Sequence, residues 1–222
     1  MTDTAGLASV TSVDMGALGA YERYKLMASL IVPRPIALVT TLNPGGVVNA
    51  APFSMFNMVG EDPPIVMISI NREKDGHLKD TAANILRDGE FVVHMCDEAI
   101  ADQMHRCGER LPPDQSELVK VGLSTRPSTQ VRPPCIAQAP VAMECVLHET
   151  LETPSRYVFI GRLVWLHARE GLIDTERWRV HLQNYFPVAR FGASYYVNCR
   201  ERFGLGDDAV PAHRASNAID EM

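Results

Sequence analysis

The sequence predicts a mainly β protein, an antiparallel β-barrel with short covering helices. About six segments of the 222-residue chain have the composition of strands and are separated by turn residues, whereas the helical segments are short. Two of the strand segments, Val141–Glu152 and Tyr157–Ala168, are long and have only a turn between them, which favours antiparallel pairing. A doubly wound sheet would need longer helices alternating with the strands.

A hairpin is the first predicted element. Ile36–Thr41 is rich in strand formers, Asn43–Gly46 is a turn signal, and Val47–Ala51 follows as the second strand. We expect Phe53–Val59 to be a third strand. After a break at two consecutive prolines, Ile65–Ile70 has the apolar composition of a buried strand.

Helical periods appear in three places. Asp80–Arg87 begins with a capping residue and ends before a glycine, and the strand candidate Phe91–Met95 follows it. Ala99–Cys107 is the second helical segment. Thr175–Asn184 is the third, because it carries large apolar residues spaced four apart.

Composition limits the class of protein. The chain is 46% hydrophobic, as globular domains are, and its net charge of −6 argues against nucleic acid as the main partner. No apolar run is long enough to predict a membrane span. The five cysteines form no CxxC pair, and no basic residue precedes Arg23 as a secretory signal would require. We therefore expect a reduced, cytoplasmic protein.

The chain is predicted to hold one domain, residues 21–205. The ends, residues 1–20 and 206–222, are small and polar without a regular period, and we interpret them as tails.

The densest set of polar side chains falls in residues 33–57, among strands and small residues. Hydroxyls, amides and an arginine at strand ends suit a phosphate or a polar heterocycle. The alternative, that these are ordinary strand and turn residues, stays open. The set comprises Arg34, Thr40, Thr41, Asn43, Asn49, Ser54 and Asn57.

A second polar set surrounds the start of the first predicted helix: Lys79, Asp80, Thr81 and Asn84. Free N–H groups and the helix dipole make such a start suitable for an anion. Simple capping by Asp80 or Thr81 is the alternative.

Other catalytic and metal motifs are not predicted. The pairs His94/Cys96 and His105/Cys107 have a spacing unlike common zinc sites, and we expect buried, structural side chains there. Sequence signatures of hydrolases, dinucleotide folds and P-loops are missing as well. An enzyme without a nucleophile–base pair can still work through a cofactor.

Several segments in order resemble the flavin reductase-like, FMN-binding split-barrel family, over about residues 21–205. They are PRPIALVTT, NAAPFSMFN, DPPIVMISI, KDTAANI, GEFVVHM, PVAMECVLHE and PVARFGASYY. The resemblance implies a Greek-key-like split barrel, a homodimer, and one FMN per subunit near the dimer interface. The chain departs from the family at His94, where relatives often have Asn, and at Phe191-Gly192-Ala193, where Leu-Gly-Gly is usual.

The resemblance also implies cofactor-binding residues. The phosphate would be held by threonines, Ser54, Lys79 and the helix start. Backbone groups of residues 49–54 would form hydrogen bonds with the edge of the flavin ring. An arginine would offset the negative charge of the reduced flavin. Together with Arg34, the set is Thr40, Thr41, Asn49, Ala50, Pro52, Phe53, Ser54, Lys79, Asp80, Thr81, Asn84 and Arg190.

The leading hypothesis is an FMN oxidoreductase of the flavin reductase class. NAD(P)H would reduce the bound flavin, which would then serve a small-molecule acceptor or a partner oxygenase. An FMN-binding electron carrier or sensor without NAD(P)H turnover is the alternative. A barrel that has lost its cofactor and acts as an interaction module is a third hypothesis.

Overall fold

The computed structural model describes residues 9–112 and 114–203. The predicted tail 206–222 lies outside the described residues, as do the first eight residues of the predicted N-terminal tail. Within residues 9–20, Met15–Ala17 forms a short 3-10 turn, and helix α1 starts at Ala20.

The described residues form mostly strands, with four short α-helices. The helices are α1 (Ala20–Leu30), α2 (Asp80–Asp88), α3 (Ala101–Arg106) and α4 (Glu117–Val121). The strands are β1 (Arg34–Pro35), β2 (Ala37–Leu42), β3 (Val48–Phe53), β4 (Phe56–Glu61), β5 (Pro64–Asn71), β6 (Glu90–Met95), β7 (Thr125–Arg126), β8 (Cys135–Ile136), β9 (Val141–Glu152), β10 (Arg156–Ala168), β11 (Ile173–Asp174), β12 (Arg179–Val180), β13 (Val188–Gly192) and β14 (Tyr195–Asn198).

Seven strands form one antiparallel sheet in the order β3-β2-β6-β9-β10-β5-β4. The two edge strands, β3 and β4, are consecutive in the chain and are joined by Ser54 and Met55 alone. Because so short a link must bring both edges together, the sheet curls into a barrel that stays split between them. The predicted mainly β, antiparallel barrel is confirmed.

A smaller sheet, in the order β1-β13-β14, lies outside the barrel. Strand β1 leads into β2, and β13 lies beside the barrel through a bridge between Asp97 and Pro187. This small sheet and α1, which contacts β13, together position the larger cleft described below.

Strand alternation divides the core into two layers. Ala37 and Val39 of β2 point into the barrel, whereas Leu38 packs on the outer face beneath α3 and α4. Inside the barrel, Phe91 packs directly over Gly161, where a Cβ atom would lie 2.4 Å from the phenyl ring. A glycine is therefore required at that point of β10.

Most predicted elements are confirmed with small shifts at their ends. The hairpin β2–β3 turns at Gly46, whose φ of 81° suits glycine, and Gly89 ends α2 in the left-handed conformation. The predicted strand Phe53–Val59 is interrupted by the link between β3 and β4.

The predicted helix Thr175–Asn184 is wrong. The Asp174 carboxylate accepts hydrogen bonds from the backbone N–H groups of Glu176 and Arg177, which stabilises a turn. The chain then returns as β12 to pair with β11. Trp178, one of the apolar residues behind the prediction, is 81% exposed and gains no packing that would stabilise a helix.

Helix α1 is one of the elements that the sequence analysis missed, together with α4 and the strands of the small sheet. It buries only Ala28 against the rest of the described chain, so its sequence carries little apolar periodicity. No helix among the described residues is long and apolar enough to cross a membrane.

Candidate functional site

A cleft of about 540 Å³ opens between α1, the small sheet and the end of α3. Helix α1 supplies one wall, the face of β1, β13 and β14 supplies the second, and the loop after α3 closes one end. The lining residues include Tyr21, Tyr24, Lys25, Ala28, Arg34, Pro52, Ser54, His105, Gly108, Glu109, Arg190 and Tyr196.

Three of these side chains form a row across the small sheet. Arg34 of β1 lies directly opposite Arg190 of β13, and Arg190 lies opposite Tyr196 of β14. Directly opposed residues of antiparallel strands share one face, with Cβ atoms about 5 Å apart. The row therefore places two arginine side chains on one face of the small sheet, and both line the cleft.

Main-chain carbonyls hold Arg34 in place. Its Nη1 donates to the carbonyl of Ala28 and, at 2.7 Å, to that of Ile31, so it binds the last turn and the C-cap of α1. Its buried Nε has no acceptor among the described residues. These bonds fix the side chain but leave its charge without a carboxylate partner in the described chain.

Arg190 is fixed in a different way. Its Nη2 donates to the carbonyl of Ala193, and its guanidinium lies 4.7 Å from the centroid of the Tyr196 ring, a cation–π contact. Among the described residues it too has no ion-pair partner. The Tyr196 hydroxyl in turn shares a 2.8 Å hydrogen bond with Nδ1 of His105.

A second groove, of about 300 Å³, continues from the cleft. Pro52, Gly108 and Glu109 line both spaces, so the two meet there. The groove runs along the edge of β3 to the start of α2 and brings together six of the predicted residues. These are Asn49, Pro52, Phe53, Lys79, Asp80 and Thr81.

The start of α2 lies at the far end of this groove. Lys79 is the N-cap residue, and its side chain makes no capping bond; neither Asp80 nor Thr81 stands at the cap. The groove also contains carboxylates, but two of them are already paired, Glu73 with Arg110 at 2.7 Å and Glu109 with Lys120 at 2.8 Å. In the part of the chain that the structure describes, Lys79 has no such partner.

The predicted threonines are less accessible than the sequence suggested. Thr41 is fully buried, and its hydroxyl accepts hydrogen bonds from the side-chain amides of Asn49 at 3.1 Å and Asn84 at 3.0 Å. The same Asn49 amide donates to Thr81 at 3.0 Å. Thr40 points to the opposite face of β2 and donates to the carbonyl of Pro134 at 2.7 Å.

The outward N–H of Ala50 is also occupied, because it donates to a Glu117 carboxylate oxygen at 2.8 Å. Burial raises the pKa of Glu117, the bond from Ala50 acts against this, and the nearby Asp80 charge adds to the rise. Helix α4 thus covers the middle of the β3 edge, and the exposed part of that edge begins at Pro52.

A separate polar cluster lies on the barrel wall away from the cleft. The carboxylate of Glu144, fully buried, accepts N–H bonds of 2.6 to 3.1 Å from Thr129, Gln130 and Val131, and lies 2.6 Å from Nε2 of His167. Burial alone would raise the Glu144 pKa, but these donors together lower it. The Cys135 thiol is near enough to complete a metal-ligand trio, yet both carboxylate oxygens already have partners.

His94 lies beside this cluster and is not at the cleft. Its Nδ1 is 2.9 Å from the carbonyl of Leu38, and its Nε2 accepts from the N–H of Ile136 at 2.9 Å. Burial lowers the His94 pKa to about 4, so the ring is neutral. The five cysteines are free, and burial raises the pKa of the Cys107 thiol, which lines the groove, to about 12.

Sequence reasoning missed the wall that α1 provides and the aromatic end of the row. Tyr21, Tyr24 and Lys25 lie on the helix that was not predicted, and His105 was interpreted only as an unlikely metal ligand. The uninterrupted run AYERYKLMASL, without glycine or proline, was the available signal for α1.

Comparison with known proteins gives consistent results. Residues 27–187 match the flavin reductase like domain. YwrF of Bacillus subtilis is 41% identical over 194 residues, which cover 85% of this chain and 94% of YwrF.

Two solved structures are also similar. The 2-nitrobenzoate 2-nitroreductase NbaA of Pseudomonas fluorescens has a TM-score of 0.81 and 39% identity, covering 90% of this chain and 96% of NbaA. Component B of nitrilotriacetate monooxygenase from Bacillus cereus has a TM-score of 0.84 and 33% identity, and the match covers 89% of this chain and 99% of component B.

Proposed function

The chain belongs to the flavin reductase-like family, and from that premise we propose that it is an FMN-dependent oxidoreductase using NAD(P)H. When bound, the flavin supplies hydride chemistry, accepting hydride from NAD(P)H and passing the electrons to a second acceptor. That acceptor is a small molecule or a partner oxygenase. The observation that carries the proposal is the groove that joins a helix start with an unpaired lysine to the large cleft.

The residues of the groove suit the parts of FMN. Lys79 and the free N–H groups at the start of α2 would hold the phosphate, since both favour an anion. The accessible edge from Pro52 to Ser54 lies where the groove widens into the cleft, so this stretch would face the ring. Four polar residues would support the phosphate end of the groove from beneath, because their hydrogen bonds to one another hold α2 against β2 and β3. They are Thr41, Thr81, Asn49 and Asn84.

The protein's own contribution is to bind and orient. Lys79 and the start of α2 at one end and the strand edge at the other would hold the cofactor, and the cleft would leave room for a substrate beside it. The cofactor role of Arg34 and Arg190 stays a prediction; both line the cleft, where their positive charge would stabilise a reduced ring without being needed to hold the cofactor.

Titration with FMN and with riboflavin, followed by flavin fluorescence, tests the phosphate assignment. Lys79→Ala should weaken FMN binding about tenfold or more, because a charge-assisted hydrogen bond is lost. The loss should shrink at high salt. Riboflavin has no phosphate, so its affinity should not change. Lys74→Ala, at an exposed position of the preceding loop, is the matched control. A wild-type protein that takes up no FMN would overturn the proposal.

Anaerobic mixing of the FMN-loaded protein with NADH and with NADPH tests the reductant. We expect one or both to bleach the visible flavin absorbance. A spectrum that neither nucleotide changes, but that dithionite then bleaches, would identify an electron carrier instead.

We also propose a homodimer and a cytoplasmic location. Large apolar side chains are exposed on α1, β4 and β10, among them Leu30, Met58 and Trp165, and a second copy would cover such a surface. Free, buried cysteines suit a reducing compartment. Light scattering on the FMN-loaded protein should give twice the 24.5 kDa of one chain. A monomer mass would contradict the dimer.

A further inference from the structure

The cleft holds more positive charge than its own residues neutralise. Arg34 and Arg190 are direct cross-strand neighbours, an arrangement that is unfavourable for like charges unless something compensates it. Lys25 adds a third cation to the lining. The one carboxylate among the residues that line the cleft in the described chain, Glu109, is paired with Lys120.

The two arginine side chains also have fixed orientations. Each uses one terminal nitrogen to bind main-chain carbonyls, so its orientation is fixed while other donors stay free in the described chain. Nη2 of Arg34 and the Nε and Nη1 groups of Arg190 have no partner among the described residues, so the two arginines together can donate to both oxygens of one carboxylate. A preorganised pair pays little entropy when such a group binds.

The rest of the cleft favours a flat, unsaturated ligand. Tyr21 and Tyr24 project from α1, and Tyr196 continues the arginine row, with its hydroxyl held by His105. Aromatic walls pack best against another ring. The cofactor phosphate does not require this cation pair, because Lys79 and the start of α2 lie at the far end of the adjoining groove.

We propose that the Arg34–Arg190–Tyr196 row is a substrate subsite that binds the carboxylate of a planar aromatic acid. The row sets the acid at the open end of the groove, with its ring between the tyrosines and the flavin edge. This inference rests on the proposed function, since the acid would bind beside the flavin that the adjoining groove is proposed to hold.

Calorimetric titration of the protein with benzoate tests the subsite. Benzoate should bind, and benzamide, which has the same shape without the charge, should bind about tenfold or more weakly. Cyclohexanecarboxylate, charged but not flat, should also bind more weakly. Arg34→Gln and Arg190→Gln should each cost about tenfold or more in benzoate affinity. Arg177→Gln, an equal change of charge at an exposed turn outside the cleft, should cost nothing.

Several results would overturn the inference. Equal binding of benzoate and benzamide to the wild type would do so without any variant, so a misfolded variant cannot hide the answer. Benzoate affinity that survives both arginine substitutions would do so as well. The third result concerns ADP-ribose. If ADP-ribose binds and benzoate does not, and if ADP-ribose binding depends on both arginines, the cleft holds a nucleotide. If either substitution abolishes FMN binding, the pair belongs to the cofactor.

FMN uptake is measured first, and the benzoate titration is run whatever its result. A protein that binds no FMN refutes the proposed function, whereas an FMN-loaded protein indifferent to benzoate refutes the subsite alone.

Discussion

Two charged regions of the molecule are built in opposite ways. Glu144 is fully buried, and its carboxylate accepts three backbone N–H bonds and contacts His167, so both of its oxygens have partners. Arg34 and Arg190 are only partly buried, stand beside a like charge, and have no carboxylate partner among the described residues.

The difference separates a structural charge from a functional one. A buried charge persists in a fold only when hydrogen bonds replace the water it has lost, which is the condition of Glu144. Its loop, residues 128–134, is tied to the barrel through it. The arginine row is fixed but uncompensated, a state that a bound anion would relieve. Substitutions should therefore affect stability in the first region and ligand binding in the second.

Glu144→Gln should have the largest effect on stability. Its side-chain NH₂ would face backbone donors that now meet a carboxylate, and breaking a buried charged network costs about 3 kcal/mol or more. Urea unfolding at pH 7 measures the loss. FMN affinity should stay at the wild-type value, since the cluster lies away from the groove.

Glu149→Gln is the matched control, because Glu149 is exposed on the same strand. A Glu144→Gln protein as stable as this control would show that the cluster contributes nothing, and the contrast with the arginines would then disappear.

The pH dependence of stability offers a second test of the buried polar groups on the barrel wall, through His94 beside the Glu144 cluster. Its folded pKa is about 4, below the ordinary 6.5, so the unfolded chain takes up a proton first as the pH falls. The free energy of unfolding should therefore fall by about 2 kcal/mol between pH 7 and pH 5. Burial is the main cause of the lowered pKa, the hydrogen bond to the Leu38 carbonyl acts against it, and the charges of Arg126 and His167 also disfavour protonation.

His94→Asn should remove most of this slope, whatever it does to stability at pH 7. His148→Asn, at an exposed position of β9, should leave the slope intact. If the His94→Asn protein kept the full wild-type slope, another group would have to carry the titration.

The smallest effect on stability is expected in the arginine row. Arg34→Gln loses two bonds to main-chain carbonyls and Arg190→Gln loses one, whereas each relieves a like-charge contact, so the opposing effects should nearly cancel. We expect unfolding free energies within about 1 kcal/mol of the wild type, measured by the same urea titration. A loss as large as that expected for Glu144→Gln would make the row structural.

Local signals explain which parts of the fold the sequence predicts. The β2–β3 hairpin follows from its Asn-Pro-Gly-Gly turn, and β9 has the predicted bounds because its composition and flanking turns are clear. Helix α1 offers only an uninterrupted run without glycine or proline, and because it buries one small residue, no apolar period marks it. The Thr175–Asn184 helix failed because the Asp174 turn outweighs an apolar spacing that has nothing to pack against.

The candidate site was predicted residue by residue but not in its arrangement. Thr40 and Thr41 are neighbours in one strand, so they face opposite sides of it, and only the Thr41 hydroxyl joins the network beneath the groove. Arg34 and Arg190 become neighbours through the pairing of β1 with β13, whose register no local pattern specifies. Several of the predicted residues thus line the two spaces, their binding roles stay predictions, and their grouping depends on the tertiary structure.

The exposed edge of β3 also bears on whether a further strand can add to the sheet. An edge strand with unpaired N–H groups is a template onto which another chain can add as a further strand. Here Pro52 has no N–H to offer, and Glu117 occupies that of Ala50. Neither Pro52 nor Ala50 therefore offers a free N–H with which a foreign strand could pair, although the edge beside the groove stays open to a small ligand.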